Sequence, residues 1–146
     1  MPKYRKLSRV VYHHLFHIVW TPKYRFKVLR GDVKDFLEQI LRQLCEWKRV
    51  EIEELNIQID HIHIILNVPP KLSISDLIGV LKGKTAIKLF KTYPHFKKKL
   101  YWGNHFWSKG YFSSTIGLDE EMIKRYVKYQ EKEERKIESE QMKFEL

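Results

Sequence analysis

The first half of the chain changes between two hydrophobic patterns, one typical of strands and one typical of helices. Residues 10–21 are rich in β-branched and aromatic side chains and stop at a proline, which predicts a strand. Residues 32–49 carry apolar side chains at helical spacing, which predicts a helix with Asp32 as its N-cap. Residues 51–59 and 61–68 each alternate apolar and polar positions, so we expect them to pair as antiparallel strands.

The second half repeats this change of pattern. A second helix is predicted over residues 73–92, capped by one of the two serines at its start and followed by a proline. Residues 105–114 are rich in aromatic residues, Ser and Thr, which predicts a fourth strand. A last helix is predicted over about 119–140. It is amphipathic at its start and almost wholly charged beyond Gln130, so we expect its end to be solvated.

The order of elements predicts the fold class. Strand, helix, strand, strand, helix, strand and an added helix match an α+β, ferredoxin-like (RRM-like) arrangement: a four-stranded antiparallel sheet with two helices on one face. No linker or repeat divides the chain, which predicts a single domain over 1–146, with a core at about 8–116 and the C-terminal helix at about 119–140. The other sheet face is left open, where a nucleic acid could lie.

Composition narrows the possible functions. The 146 residues include 28 Lys and Arg against 18 Asp and Glu, a formal net charge of +10, and a basic protein attracts nucleic acid or an anionic membrane surface. No apolar run approaches the ~18 residues of a membrane span, and the N-terminus does not resemble a signal peptide, so we expect a cytoplasmic protein with no membrane partner. The single cysteine, Cys45, excludes an internal disulfide and a thiolate zinc site.

Residues 71–111 hold most of the features that favour nucleic acid over a membrane. This stretch carries nine lysines and a single acid, Asp76, interleaved with aromatic residues. Lysines bind phosphates and aromatic faces stack on unpaired bases, although most individual rings in such a stretch belong to an ordinary core. The candidate DNA contacts are Lys82, Lys84, Lys88, Lys91, Trp107 and Lys109.

A pair of histidines is the sharpest chemical feature. Side chains alternate along a strand, so His61 and His63 are expected on one face, where both imidazoles can reach one divalent ion. The alternative is that they are polar residues on an exposed sheet. His13, His14 and His17 spread over both faces of the first strand and are interpreted as structural or DNA-facing.

The last helix carries a second candidate pair. Tyr126 and Gln130 are four residues apart and share a helical face. A phenolate can attack phosphorus, but the free phenol has a pKa near ~10 and needs help from a metal ion that holds the phosphate. The amide oxygen of Gln130 would complete the ligands of that ion. Tyr129 is a rival nucleophile about 100° around the helix, and the alternative for Tyr126 is an ordinary half-buried tyrosine.

These features together resemble one family, the HUH-class single-tyrosine transposases of bacterial and archaeal insertion sequences, which include REP-associated relatives. The resemblance spans nearly the whole chain, in motif blocks that stand in the family's order. One small departure is Ile59, which stands where a proline often precedes the histidine motif. The matching blocks are residues 12–29, 60–70, 77–84, 101–112 and 123–130.

The resemblance implies a specific mechanism. It places the metal ligands on His61, His63 and Gln130, the nucleophile on Tyr126 and a hinge on Gly117. Members of the family cut single-stranded DNA beside a hairpin, form a 5′-phosphotyrosine link, keep a free 3′-OH and rejoin strands. They use Mg²⁺ or Mn²⁺, and they act as homodimers in which the tyrosine helix can complete the partner's histidine site.

Two other functions stay open on the sequence. One is a domesticated relative that only binds structured single-stranded DNA or RNA. The other is a metal phosphodiesterase that uses activated water and leaves Tyr126 idle. The sequence favours the transposase because all four expected positions carry competent residues, and because a phosphodiesterase does not explain why Gln130 lies one turn from a tyrosine.

Overall fold

A computed structural model describes residues 5–7, 10–99, 105–115 and 120–145 of the chain. The described residues form six strands, four α-helices and one 3₁₀ turn at Lys23–Arg25. The strands are β1 (Arg5–Leu7), β2 (Val10–Tyr12), β3 (Leu15–Trp20), β4 (Glu51–Gln58), β5 (His61–Asn67) and β6 (Phe112–Ser114). The helices are α1 (Gly31–Trp47), α2 (Ile74–Thr92), α3 (His95–Lys99) and α4 (Glu120–Glu145).

The main sheet has four antiparallel strands in the order β4-β5-β3-β6. Along the chain these strands and helices run β3, α1, β4, β5, α2, β6, which is the ferredoxin-like arrangement. The predicted α+β fold class is therefore confirmed. Strands β3 and β5 lie in the centre and pair over six residues, so every side chain on them faces either the helices or the opposite side of the sheet.

The core lies between the sheet and helices α1 and α2. On β5, the buried residues Ile62 and Ile64 alternate with half-buried ones, and their cross-strand partners on β3 are Trp20 and Ile18. Burial of each large aliphatic side chain contributes about 1.5–3 kcal/mol, so this layer holds the strand faces in one register. The helices contribute Leu37, Leu41, Leu77, Ile78 and Leu81 to the same cluster.

The first predicted strand, residues 10–21, is wrong as a single element. The chain breaks at His14, whose backbone N–H donates to the side-chain Oδ1 of Asn67 across 2.9 Å. The part before the break, β2, pairs with β1 in a separate two-stranded sheet, and the part after it, β3, enters the main sheet. At this break the Asn67 side chain therefore takes the place of the backbone acceptor that a continuous strand would have used.

The predicted strand over residues 105–114 is correct only at its end, β6. The preceding segment crosses the end of β3: Lys23 N donates to Phe106 O and Ser108 N to Thr21 O, each across 2.9 Å. Gly110 then takes a φ of +77°, a left-handed conformation that suits glycine and turns the chain toward β6.

The helix ends follow local chemistry. Ser73 caps α2 by accepting from the N–H of Asp76 across 3.3 Å, as predicted, and the helix ends at Thr92. Asp32 is not the cap of α1, which begins at Gly31; it lies in the first turn, where its charge complements the helix dipole. In the part of the chain that the structure describes, no helix is long and apolar enough to cross a membrane.

Candidate functional site

The histidine pair lies at the start of β5 on the sheet face that points away from α1 and α2. His61 pairs with Gln58 of β4, and His63 pairs with Asn56 of β4 and Val19 of β3. The intervening Ile62 is fully buried in the core. The structure thus brings His61 and His63 to one face, as the alternation predicts.

His61 is oriented by the residue before it. Its Nδ1 lies 2.9 Å from Oδ1 of Asp60. A carboxylate in this position accepts the proton of Nδ1 and so fixes the tautomer and the direction of the ring. The lone pair of Nε2 is then the one that His61 can offer to a metal ion.

His63 offers a ring nitrogen as well. Its Nε2 is buried and has no hydrogen-bond partner among the described residues, and its ring stacks on that of His17 at 6.2 Å between centroids. Burial lowers the pKa of His63, and the nearby His17 and His61 add to this effect while Glu54 opposes it. A neutral imidazole with an unpaired nitrogen is the form that binds a metal.

Tyr126 and Gln130 are in direct contact on α4. Gln130 Nε2 donates to the Tyr126 hydroxyl across 3.1 Å and to the carbonyl of Lys109 across 3.3 Å. Because these bonds use the amide nitrogen, the amide oxygen of Gln130 is the atom suited to a metal ion. The Tyr126 ring also contacts the Phe112 ring, with centroids 5.7 Å apart.

The acidity of Tyr126 is set by opposing effects. Burial raises the pKa of the phenol, the hydrogen bond from Gln130 lowers it, and the charge of Glu134 raises it. The net direction is upward, so the phenol is protonated near neutral pH. Its use as a nucleophile requires an interaction that stabilises the phenolate.

A cross-strand row relates the tyrosine to the histidine face. Phe112 of β6 pairs with Val19 of β3, which pairs with His63 of β5. Directly paired residues point to the same side of a sheet, and neighbouring strands are about 4.8 Å apart, so Phe112 and His63 stand about 10 Å apart on one face. Tyr126, which lies against Phe112, is therefore at the histidine face of the sheet.

The contacts among the described residues join the histidine pair and the Tyr126–Gln130 pair only indirectly. Within residues 5–7, 10–99, 105–115 and 120–145, no hydrogen bond or ring contact links His61 or His63 to Tyr126 or Gln130. The same part of the chain contains no group of three His, Cys, Asp or Glu residues suited to a metal. A metal ion at the histidine pair would therefore need a third ligand of another type, and the Gln130 amide oxygen is of such a type.

The residues that attach α4 to the rest of the chain were not predicted from the sequence. Arg25 Nε lies 3.1 Å from Asp60 Oδ2 and 3.2 Å from Glu131 Oε2. Glu134 accepts from the Tyr24 backbone N–H across 2.9 Å and also binds the Ser108 hydroxyl. The expectation of a solvated helix beyond Gln130 is therefore wrong at these two positions. The available signal was spacing, because Glu134 lies one turn beyond Gln130 on the same face.

Two of the candidate DNA contacts instead hold the segment before β6 in place. Lys82 Nζ donates to the carbonyls of Ser108 (2.7 Å) and Gly110 (2.6 Å). Trp107 is 7% exposed, its ring contacts those of Trp20 and Phe106, and its Nε1 donates to Thr85. Lys82 and Trp107 are therefore engaged within the protein, and the expectation that they also contact DNA stays a prediction.

The other candidate positions stay predictions. Lys84, Lys88 and Lys91 are exposed on α2, the layer opposite to the histidine face, and Lys109 is exposed just before Gly110. The proposed hinge, Gly117, lies outside the described residues.

The chain matches the sequence family described as IS200-like transposases over residues 10–130. It is 38% identical over 131 residues to the transposase for insertion sequence element IS200 of Salmonella typhimurium. The aligned region covers 90% of this chain and 86% of that protein. It is 34% identical over 125 residues to the ISDra2 transposase TnpA of Deinococcus radiodurans. Here the aligned region covers 85% of this chain and 89% of that protein.

Solved structures agree with this match. A crystal structure of a Deinococcus radiodurans protein described as a transposase superposes with a TM-score of 0.76 at 31% identity, covering 86% of this chain and 97% of that one. A REP-associated tyrosine transposase bound to a REP hairpin superposes with a TM-score of 0.55 at 14% identity, covering 89% and 70%, which shows a shared fold. The match over residues 10–130, together with these relatives, means that the chain belongs to the IS200-like transposases.

Proposed function

We propose that this transposase cuts and rejoins single-stranded DNA with Tyr126 as the nucleophile. The observation that carries the proposal is the hydrogen bond from Gln130 Nε2 to the Tyr126 hydroxyl at the histidine face of the sheet. A half-buried tyrosine needs no such donor for packing, since its hydroxyl could face water. A donor to the phenol oxygen stabilises the charge that develops when the phenol becomes a nucleophile.

The proposed cleavage step is a direct attack on the DNA backbone. The Tyr126 oxygen attacks a phosphorus atom of the DNA backbone, the bond from phosphorus to the 3′ oxygen breaks, and a 5′-phosphotyrosine and a free 3′-OH result. The phenol proton leaves to solvent or to a base on the DNA side, and the leaving 3′ oxygen takes up a proton. Rejoining is the reverse attack by a 3′-OH, which needs no external energy source because one phosphodiester bond replaces another.

A divalent ion, Mg²⁺ or Mn²⁺, fits the residues at this site. His61 Nε2 is left available by the Asp60 contact and His63 Nε2 is buried without a partner among the described residues, so each can offer a lone pair; the amide oxygen of Gln130 is the proposed third ligand. A bound ion would neutralise charge on the scissile phosphate. The chain's own residues do the rest: Asp60 orients His61, and Gln130 stabilises the phenolate.

We propose hairpin-containing single-stranded DNA as the substrate and a homodimer as the active form. The hairpin is supported by the REP-associated transposase of the same fold, which is bound to a REP hairpin. The net charge of +10 favours a polyanion of this kind. The dimer is supported by the family resemblance.

The test uses labelled single-stranded DNA from both flanks of the gene, incubated with the full chain and Mg²⁺ and separated on a denaturing gel. Wild type should give a covalent protein–DNA band, and Tyr126→Phe should give none. Tyr129→Phe is the matched control, because this exposed tyrosine lies on the same helix. An adduct that persists in Tyr126→Phe overturns the nucleophile. Cut DNA without an adduct indicates a water-using phosphodiesterase, and binding without cutting indicates a binding-only relative.

A further inference from the structure

We propose that Arg25 is a positioning residue that joins the histidine site to the tyrosine helix through two carboxylates, Asp60 and Glu131. One nitrogen, Arg25 Nε, lies 3.1 Å from Asp60 Oδ2 and 3.2 Å from Glu131 Oε2. The inference rests on the proposed function, because it takes His61 as a metal ligand and Tyr126 as the nucleophile.

The first arm of this link reaches the histidine. Asp60 uses its two oxygens separately: Oδ2 meets Arg25, and Oδ1 meets His61 Nδ1 at 2.9 Å. The Asp60 side chain is 15% exposed and that of His61 is 17% exposed, so water competes little with either contact. Since Arg25 holds the carboxylate in place, it also determines how the His61 ring points and which of its nitrogens carries the proton.

The second arm reaches α4. Glu131 directly follows Gln130 in the helix, and its Oε2 meets Arg25 while its Oε1 meets Arg135. The Asp60 and Glu131 carboxylates both approach one Arg25 nitrogen, so they are close neighbours and would repel each other without the guanidinium between them. Removal of the Arg25 charge therefore disturbs both arms together.

The backbone conformation at Arg25 is unusual. Tyr24 and Arg25 both have a φ of +56°, a left-handed conformation that non-glycine residues rarely adopt and that persists only where surrounding contacts enforce it. The turn is held by its own hydrogen bond from Arg25 N to the Pro22 carbonyl across 3.0 Å and by α4, because Glu134 accepts the Tyr24 N–H across 2.9 Å. The turn thus directs the Tyr24 N–H and the Arg25 side chain to successive acidic residues on one face of the helix.

The alternative is that Arg25 forms an ordinary surface ion pair, which contributes little to a protein. Such a pair is present elsewhere: Arg42 and Glu38 on α1 have side chains that are 54% and 41% exposed. The Arg25 side chain is 24% exposed and meets two elements that are distant in sequence, whereas Arg42 meets only its own helix. This difference in burial and connectivity separates a positioning role from a solvated pair.

The experiment compares Arg25→Gln with Arg135→Gln, which removes the other cation of Glu131 and leaves Asp60 untouched. In Arg25→Gln we expect Mn²⁺ affinity, measured by electron paramagnetic resonance, to fall about 10–100-fold, as for other residues that orient a metal ligand. We expect kcat for DNA cleavage to fall by a similar factor with KM little changed. Arg135→Gln should match wild type in both. Equal Mn²⁺ affinity in the two variants overturns the proposal.

Two further measurements do not depend on DNA cleavage or on a metal. The nitrogen-15 NMR spectrum of the His61 ring should show the Nδ1-protonated tautomer in wild type and a mixture in Arg25→Gln. Hydrogen exchange of the Tyr24 amide should become faster in Arg25→Gln. If wild type forms no DNA adduct while both changes occur, the proposed function fails and the positioning link stands; if neither change occurs, the link fails.

A variant that fails to fold does not end the test. Circular dichroism checks each variant first. Should Arg25→Gln unfold, Glu131→Gln breaks only the arm to α4 and is expected to speed exchange of the Tyr24 amide without altering the His61 tautomer. Unchanged exchange at Tyr24 in that variant overturns the link between Arg25 and the helix.

Discussion

Gln130 Nε2 and the Tyr126 hydroxyl are hydrogen-bonded across 3.1 Å, one helical turn apart on α4. The bond lowers the pKa of Tyr126 against the larger effect of burial, which raises it. A donor to the phenol oxygen is worth more to the phenolate than to the phenol. Burial alone would leave Tyr126 a poor nucleophile, and the hydrogen bond from Gln130 makes its phenol more acidic than burial alone would.

Gln130→Met keeps the size of the side chain but removes both the donor to the phenol and the proposed ligand oxygen, so the pH dependence rather than the rate isolates the effect on the phenol. Hydrogen bonds to charged groups contribute about 1.5–3 kcal/mol, so we expect cleavage to slow by about 10–100-fold. The limb of the pH–rate profile that reports the phenol should move to higher pH. Gln39→Met, an exposed change on α1, is the control. An unmoved limb would show that Gln130 does not act on the phenol.

His61→Ala and His63→Ala each remove one proposed metal ligand. We expect either change to lower Mg²⁺-dependent cleavage by about a hundredfold or more and to weaken Mn²⁺ binding measured by calorimetry. His105→Ala, in an exposed loop position, should behave as wild type. Normal metal affinity in both variants would mean that the pair is a polar feature of the sheet.

Lys82 should make stability depend on pH. Burial lowers the pKa of Lys82 to about 8, with Glu134 acting in the opposite direction. An unfolded lysine has a pKa near ~10.4, so between these values the unfolded chain holds a proton that the folded chain has released, and the free energy of unfolding rises with pH. Lys82→Met should flatten this rise. At pH values below the rise, the loss of the hydrogen bonds to the Ser108 and Gly110 carbonyls should lower the free energy of unfolding.

The measurement is urea unfolding at a series of pH values from about 7 to about 10. Lys84→Met is the matched control, because Lys84 is exposed on the same helix and should leave the slope unchanged. A wild-type slope in Lys82→Met would contradict the assigned burial of this ammonium.

The exposed lysines of α2 should contribute to DNA affinity through phosphates. If Lys84, Lys88 and Lys91 each meet one phosphate, their triple alanine variant should flatten the dependence of log K on log salt by about 2, since each contact to a single strand accounts for about 0.7. Lys132→Ala with Lys136→Ala, both exposed on α4, is the control. An unchanged salt slope would place the DNA away from this face, a result compatible with contact at the histidine face.

The sequence was sufficient for most of the fold because its signal is local. Side chains alternate with period two on β5 and recur at helical spacing on α1 and α2, and these periods come from the backbone geometry of each element alone. The same rule predicted that His61 and His63 share a face and that Tyr126 and Gln130 share another. Whether these four residues act as proposed stays a prediction.

Long-range hydrogen bonds decided where local patterns failed. The break at His14 depends on the side chain of Asn67, and residues 105–114 leave the sheet because Ser108 and Phe106 bond to the end of β3. In each case the strand-like composition was correct, but the hydrogen-bond partner of the backbone came from a segment more than fifty residues away. The amino-acid composition of a segment does not predict which distant residue its backbone will bond to.

The sequence by itself determined the long helices, the two strands of the hairpin β4–β5, the fold class and which residues form the two candidate pairs, because each depends on spacing within one strand or one helix or on the order of the elements. Only the tertiary structure decided how α4 is attached, since its contacts join residues as far apart as Tyr24 and Glu134, 110 positions along the chain. Arg25 and Glu131 look like ordinary surface charges in the sequence. They become a link between the histidine site and the tyrosine helix only when folding brings opposite charges together in a half-buried space, where each charge requires a partner.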